Sequence, residues 1–249
     1  RLGEKEDVAA ITAAGLWAHY QKLLRESPVE LFYVGCAPAE QLCSALQEIF
    51  SPLERRVVAL PEQAGFRASE IIHGRERMEI AQGKLSMGFL TPITQNDPRF
   101  AAMQVANNVF GGGQTSKLFM RIREEQSLCY AIGAGYYGSK GLVTVSAGID
   151  FDKEEAVRRE VLHQLQLCQQ GQISDQELRS AKQALISQLK ATHDSPGNIE
   201  SYYGTTHLSG LALTPQQYLD AVEQVTLEQV AQAAQTVQLH TAFFLKGVQ

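Results

Sequence analysis

Two hydrophobic patterns alternate along this chain. Residues 7–24 place Val8, Ile11, Leu16, Tyr20, Leu23 and Leu24 near a 3.6-residue spacing, which predicts an amphipathic helix. Ser27-Pro28 ends it, because proline pushes the preceding residue out of the α region. Residues 29–35 are a short β-branched and aromatic run and predict a strand. A helix follows over 38–50, with Leu42, Leu46 and Phe50 on one face. From 51 to 75 periodicity is lost among Pro52, Pro61 and Gly65, as in a linker.

Beyond it the period changes to two. Leu85, Met87 and Phe89 alternate with Ser86 and Gly88 in a strand over 78–91. Asp97-Pro98 offers an N-cap with proline at the first helical position of a helix running to Phe110. Gly111-Gly112-Gly113 breaks that helix, and 115–125 predicts a second, short one. Residues 130–137 and 142–150 read as a hairpin turning over 138–141. Residues 152–237 are helical. Ser174/Glu177, Thr214/Gln217 and Thr226/Gln229 have capping-box spacing, and Val225 and Val230 have that of a hydrophobic staple. A strand over 239–247 closes the chain.

A helix followed by a strand ending in glycine occurs over 8–35 and again over 230–247. The echo suits two related domains. Arg1-Leu2-Gly3 lacks an initiator Met, and the expectation is a piece of something longer. Residues 1–55 would be the C-terminal part of a first domain, 56–75 a linker and 76–249 a second domain. Strand, two helices, hairpin, helices, strand predicts an α+β fold, an antiparallel sheet backed by helices.

Composition narrows the function. The 249 residues carry 22 Lys+Arg against 27 Asp+Glu, a net charge of -5, without the basic block of a nucleic-acid binder. Mean hydropathy is -0.17 and no apolar run approaches the ~18 residues of a membrane span. Cys36, Cys43, Cys129 and Cys168 form no C-x-x-C pair. They read as buried free thiols in a reducing compartment, hence a cytoplasmic protein.

Local motifs for catalysis are few. The six histidines include no pair one helical turn apart, so neither H-x-x-E-H nor H-E-x-x-H is present. Gly133, Gly135 and Gly138 spell G-x-G-x-x-G, but strand continues after them, where a dinucleotide loop requires a helix N-terminus for the pyrophosphate. Ser116-Lys117-Leu118 is not the end of a Walker loop. Arg123 closes a short helix and Tyr130, seven residues on, opens a glycine-rich strand. A guanidinium and a phenol there can both donate to a peptide carbonyl. Equally, Arg123 can pair with Glu124 or Glu125 on the surface while Tyr130 sits in the core.

Phe110-Gly111-Gly112-Gly113, Ser116-Lys117-Leu118-Phe119, Arg123-Glu124 and Leu128-Cys129-Tyr130 together resemble the pitrilysin/insulinase family of zinc peptidases, of inverzincin type. That family's motif runs approximately L-G-G-G-x-x-S-R-L-F, then R-E-K-x-G-L-A-Y. Gly88-Phe89-Leu90, Asp97-Pro98, Ile173-Ser174, Glu177-Leu178, Ala181-Lys182 and the Val34-Gly35 strand end with its following helix also match. The resemblance implies a metallopeptidase-like α/β roll, with this chain holding the tail of one such domain and all of the second, non-zinc one. It implies zinc only in a missing domain or partner, with no cofactor, metal ligand or catalytic residue in this chain. Arg123 and Tyr130 would contact a peptide substrate beside the glycine-rich loop Gly111, Gly112 and Gly113. The partner would be a pitrilysin-like subunit in a homo- or heterodimer, with neither nucleic acid nor membrane involved. Glu125-Gln126-Ser127 in place of Lys-x-Gly, Lys117 in place of Arg and Cys129 in place of Ala are similar to a bacterial, non-catalytic branch that pairs with an active sister. The alternative implied function is therefore an inactive scaffold subunit of a peptidase-like heterodimer.

Overall fold

The computed structural model describes residues 3–59 and 70–248. The chain divides into two compact units, Arg1–Ala64 and Gly65–Gln249. In the first, α1 (Lys5–Ala9), α2 (Ala13–Glu26) and α3 (Ala39–Phe50) form where the apolar spacing is helical. Thr12 splits the single helix expected over 7–24, because its Oγ1 accepts the Gly15 N–H at 3.1 Å and starts α2 afresh. At the other end of α2, Arg55 donates to the Leu24 and Ser27 carbonyls at 2.6 and 2.7 Å, and so partners acceptors that helix geometry leaves free. The strand expected over 29–35 does not appear as one among the described residues, where β propensity by itself does not make a strand. Of the linker expected over 56–75, residues 60–69 lie outside the described residues, and its last residues already belong to the sheet of the second unit.

That sheet has the order β1-β5-β2-β4-β3. Its strands are β1 (Ile72–Met78), β2 (Gly83–Leu90), β3 (Ala131–Tyr137), β4 (Leu142–Ile149) and β5 (Gln238–Gly247). All neighbours are antiparallel except β1, which runs parallel to β5. β1 carries His73, Arg75, Glu76 and Arg77 and is exposed along most of its length, so it shows no apolar alternation to reveal it. Strand β2 buries Leu85, Met87 and Phe89 and exposes Lys84 and Ser86, as a two-residue period requires.

The helices of this unit are α4 (Phe100–Phe110), α5 (Glu154–Gln169), α6 (Asp175–Lys190), α7 (Pro196–Ser209), α8 (Pro215–Gln224) and α9 (Leu227–Gln235). Phe89, Val145 and Phe244 from the sheet share one core with Met103, Val161, Leu185, Val222 and Val230 from the helices. Each such side chain contributes on the order of 1.5–3 kcal/mol when fully buried. Asp97 Oδ1 accepts the Arg99 N–H at 2.8 Å, the bond of an N-cap, although regular helix begins only at Phe100. All three capping boxes form. At the hairpin turn Gly141 has φ +58°, and a Cβ there would lie 2.3 Å from the Thr91 carbonyl oxygen.

Candidate functional site

The second short helix, expected over 115–125, becomes a π-helix at Phe119–Glu125. Leu118 and Ile122 anchor it in the core. The Gln126 N–H bonds back to the Arg121 carbonyl at 3.1 Å, the five-residue reach of a π turn. Arg123 thereby lies over the Phe119 ring, its guanidinium carbon 4.7 Å from the centroid. Glu124 is its ion-pair partner at a loose 3.8 Å, and among the described residues most of the guanidinium's five donors are unused.

After the π-helix the chain turns sharply at Ser127, whose φ is +48°. A left-handed backbone disfavours any side chain larger than that of glycine. The resembled motif has glycine here. Leu128 then donates to the Ile122 carbonyl at 2.9 Å, and Tyr130 enters the sheet with its N–H on the Gly148 carbonyl at 2.9 Å. Tyr130 is 60% exposed, so the alternative of a core tyrosine does not hold. Arg123 and Tyr130 line one open cavity of about 360 Å³ together with Ser127, Cys129, Asp150 and Lys153.

Sequence reasoning missed Asp150 and Lys153. Tyr130 Oη donates to Asp150 Oδ1 at 2.7 Å, and Lys153 Nζ pairs with Asp150 Oδ2 at 2.8 Å. The hydrogen bonds from Lys153 and then Tyr130 hold the Asp150 carboxyl below its usual range. The bond to Asp150 raises the Tyr130 phenol, and the same carboxylate raises the Lys153 ammonium. Tyr130 is thus a protonated donor whose single proton already has an acceptor. Engaging a carbonyl requires it to leave Asp150. A signal was available: Asp150 ends the strand paired with the one Tyr130 opens, and Lys153 lies three residues further on.

The glycine-rich loop lies apart from this lining. The Gly111 carbonyl accepts the Ala134 N–H at 2.7 Å, and a Cβ on Gly111 would sit 2.6 Å from the Ala134 Cβ. A Cβ on Gly112 would likewise sit 2.7 Å from the Asn108 Cα, whereas Gly113 faces open space. Gly111 is what lets the end of α4 press against β3. Gly133, Gly135 and Gly138 lie along β3 and its turn, with no helix N-terminus to receive a phosphate.

Lys117 is buried and pairs with Glu177 at 2.9 Å. Burial pushes the Glu177 carboxyl up, but hydrogen bonds from Lys117 and Ser174 together hold it below its ordinary 4.5. Cys129 and Cys168 are buried as expected, and burial raises both thiols, Cys168 to about 12. Cys36, between α2 and α3, and Cys43, on α3, are exposed, contrary to the expectation of four buried thiols; no residue of the first unit's helices is buried in this chain. The zinc implied by the resemblance finds no ligand set here: among the described residues no three His, Cys, Asp or Glu side chains cluster closely enough to hold a metal ion. No described helix is long and apolar enough to cross a membrane.

Residues 10–185 match the model of the peptidase M16 inactive domain. A relative from Bacillus subtilis, named "Probable inactive metalloprotease YmfF", is 30% identical over 99% of this chain and 58% of its own length. A solved conserved protein from Enterococcus faecalis V583 superposes with a TM-score of 0.88 at 30% identity, over 99% of this chain and 58% of that one. A peptidase M16 inactive domain from Pseudomonas fluorescens superposes with a TM-score of 0.81 at 20% identity, over 99% of this chain and 60% of that one. The chain therefore spans somewhat over half the length of the relatives it matches.

Proposed function

From the premise that this chain belongs to the family of the peptidase M16 inactive domain, we propose that it is the substrate-binding, non-zinc half of a peptidase assembly. In this reading it hydrolyses nothing by itself and acts with a zinc-bearing domain or a pitrilysin-like partner subunit, as a homo- or heterodimer. Residues 1–55 close a preceding related domain, and 76–249 form the non-zinc domain. The four unpaired cysteines support a cytoplasmic setting.

The observation that carries the reading is the shared cavity of Arg123 and Tyr130. Arg123 is fixed by its stack on Phe119 and offers unused N–H donors. Tyr130 offers a phenol that is protonated at neutral pH and is raised further by its bond to Asp150. Two donors converging on one carbonyl oxygen stabilise the negative charge that develops there when the carbonyl is attacked. Asp150 and Lys153 are positioning residues: they hold Tyr130 until a substrate carbonyl competes for its proton.

In the complete assembly, Arg123→Ala and Tyr130→Phe are each expected to lower peptide kcat/KM by about 10²-fold, the cost of removing one such donor. Tyr130→Phe leaves the fold intact, since the hydroxyl lies at the surface. Unchanged kcat/KM in both variants would remove the assigned role. A second reading, an inactive scaffold subunit, is favoured by the name of the B. subtilis relative. It predicts no chelator-sensitive peptide hydrolysis by the complete assembly, whereas the first predicts hydrolysis that a chelator abolishes.

A further inference from the structure

A second cavity, of about 450 Å³, opens among α4, α6, α7 and α8. Its size falls in the range of small-ligand sites, about 300–1,000 Å³. No Asp, Glu, Lys, Arg or His lines it. Phe100, Leu185 and Leu189, all buried, provide an apolar surface. The side-chain amides of the half-buried Gln95 and Gln104 also line it, and among the described residues neither has a hydrogen-bond partner.

Tyr218 distinguishes this cavity from an ordinary surface cleft. It is 7% exposed and its ring packs on that of Phe100 at 5.4 Å between centroids, yet among the described residues its hydroxyl makes no hydrogen bond. The nearby phenols are otherwise engaged: Tyr136 donates to the Ile93 carbonyl at 2.7 Å and Tyr202 to the Leu213 carbonyl at 2.8 Å. Burial, with Tyr202 and Tyr136 adding to it, raises the Tyr218 phenol further above an ordinary value that already leaves it a donor at physiological pH. The Tyr218 hydroxyl is not among the fully enclosed polar atoms that lack a partner, so it reaches the cavity and is open to an incoming acceptor.

We propose that this cavity binds an uncharged peptide segment, with one apolar side chain on Phe100, Leu185 and Leu189 and a main-chain carbonyl accepting from Tyr218. Side-chain amides match the donors and acceptors of a peptide bond, and a neutral lining has no counterion for a charged ligand. The site lies away from the Arg123–Tyr130 cavity and shares no lining residue with it. It does not depend on the function assigned to that pair.

The test is an NMR titration of the full chain with N-acetyl-phenylalaninamide, read on the methyl groups of Leu185 and Leu189. Saturable shifts are expected. Tyr218→Phe keeps the ring and is expected to weaken binding about fivefold, the worth of one hydrogen bond. Ser201→Trp, at the exposed rim, is expected to abolish it, and decides the matter if Tyr218→Phe fails to fold. N-acetyl-phenylalanine, which ends in a carboxylate, is expected to bind at least about tenfold more weakly. The absence of saturable shifts would overturn the proposal. So would equal binding of the two probes, binding indifferent to Ser201→Trp, or shifts confined to the Arg123–Tyr130 cavity.

Discussion

The two units of this chain use the same alphabet with opposite results. Gly65–Gln249 interleaves strands and helices around one core in which Met87, Phe89 and Val145 are fully enclosed. Arg1–Ala64 has helices just as clearly patterned, with Leu16 at 58% and Trp17 at 60% exposure and no buried residue in any of them. An amphipathic stripe states that a face is to be covered but not by what. In the second unit the sheet covers it. In the first, caps and the Arg55 bonds to the end of α2 hold local geometry, and no described residue of its helices is buried in this chain. Secondary structure legible from the sequence is therefore a different property from independent stability.

The sharpest test of this contrast is to separate the units. Residues 65–249 alone are expected to unfold in one cooperative calorimetric transition, and residues 1–64 alone to show none. A cooperative transition in the shorter piece would break the comparison. Within the whole chain, Phe89→Ala is expected to cost about 3–5 kcal/mol in denaturant unfolding, against under about 0.5 kcal/mol for Trp17→Ala. Comparable losses would mean that Trp17 is buried in solution.

Smaller effects probe the frame around the candidate site. Glu177→Gln removes the partner of the buried Lys117 and half of a capping box, and is expected to cost about 2 kcal/mol. Because the folded state holds the Glu177 carboxyl below 4.5, its contribution is present above that pH and is lost as the pH falls through the lowered value. The variant should therefore flatten acid destabilisation as the pH falls below about 4.5, as followed by thermal melts. Ser127→Gly is expected to stabilise by about 1 kcal/mol, since glycine adopts φ +48° without strain. A loss of stability there would mean that the serine hydroxyl earns its place.

Much of this was readable in advance. The β2 alternation, the hairpin and the three capping boxes are local rules, each satisfied within a few residues of where it is written. Arg123 and Tyr130 were legible as a spaced pair, but their common cavity was not. It depends on a π turn that periodicity does not distinguish from an α turn, and on a left-handed Ser127. Asp150 and Lys153 reach the site through strand pairing, and β1 joins the sheet on backbone bonds to β5 with little apolar signal of its own.

The sequence by itself determined the α+β composition, most element boundaries and the family motif, because caps, turns and hydrophobic periods act over one to four residues. Only the tertiary structure decided which thiols are buried and that Tyr130 faces solvent with its hydroxyl donating to Asp150. It also decided that Tyr218 lines a neutral cavity where, among the described residues, its hydroxyl has no acceptor. Each of these depends on contacts between residues far apart in the chain, and no local pattern carries that information.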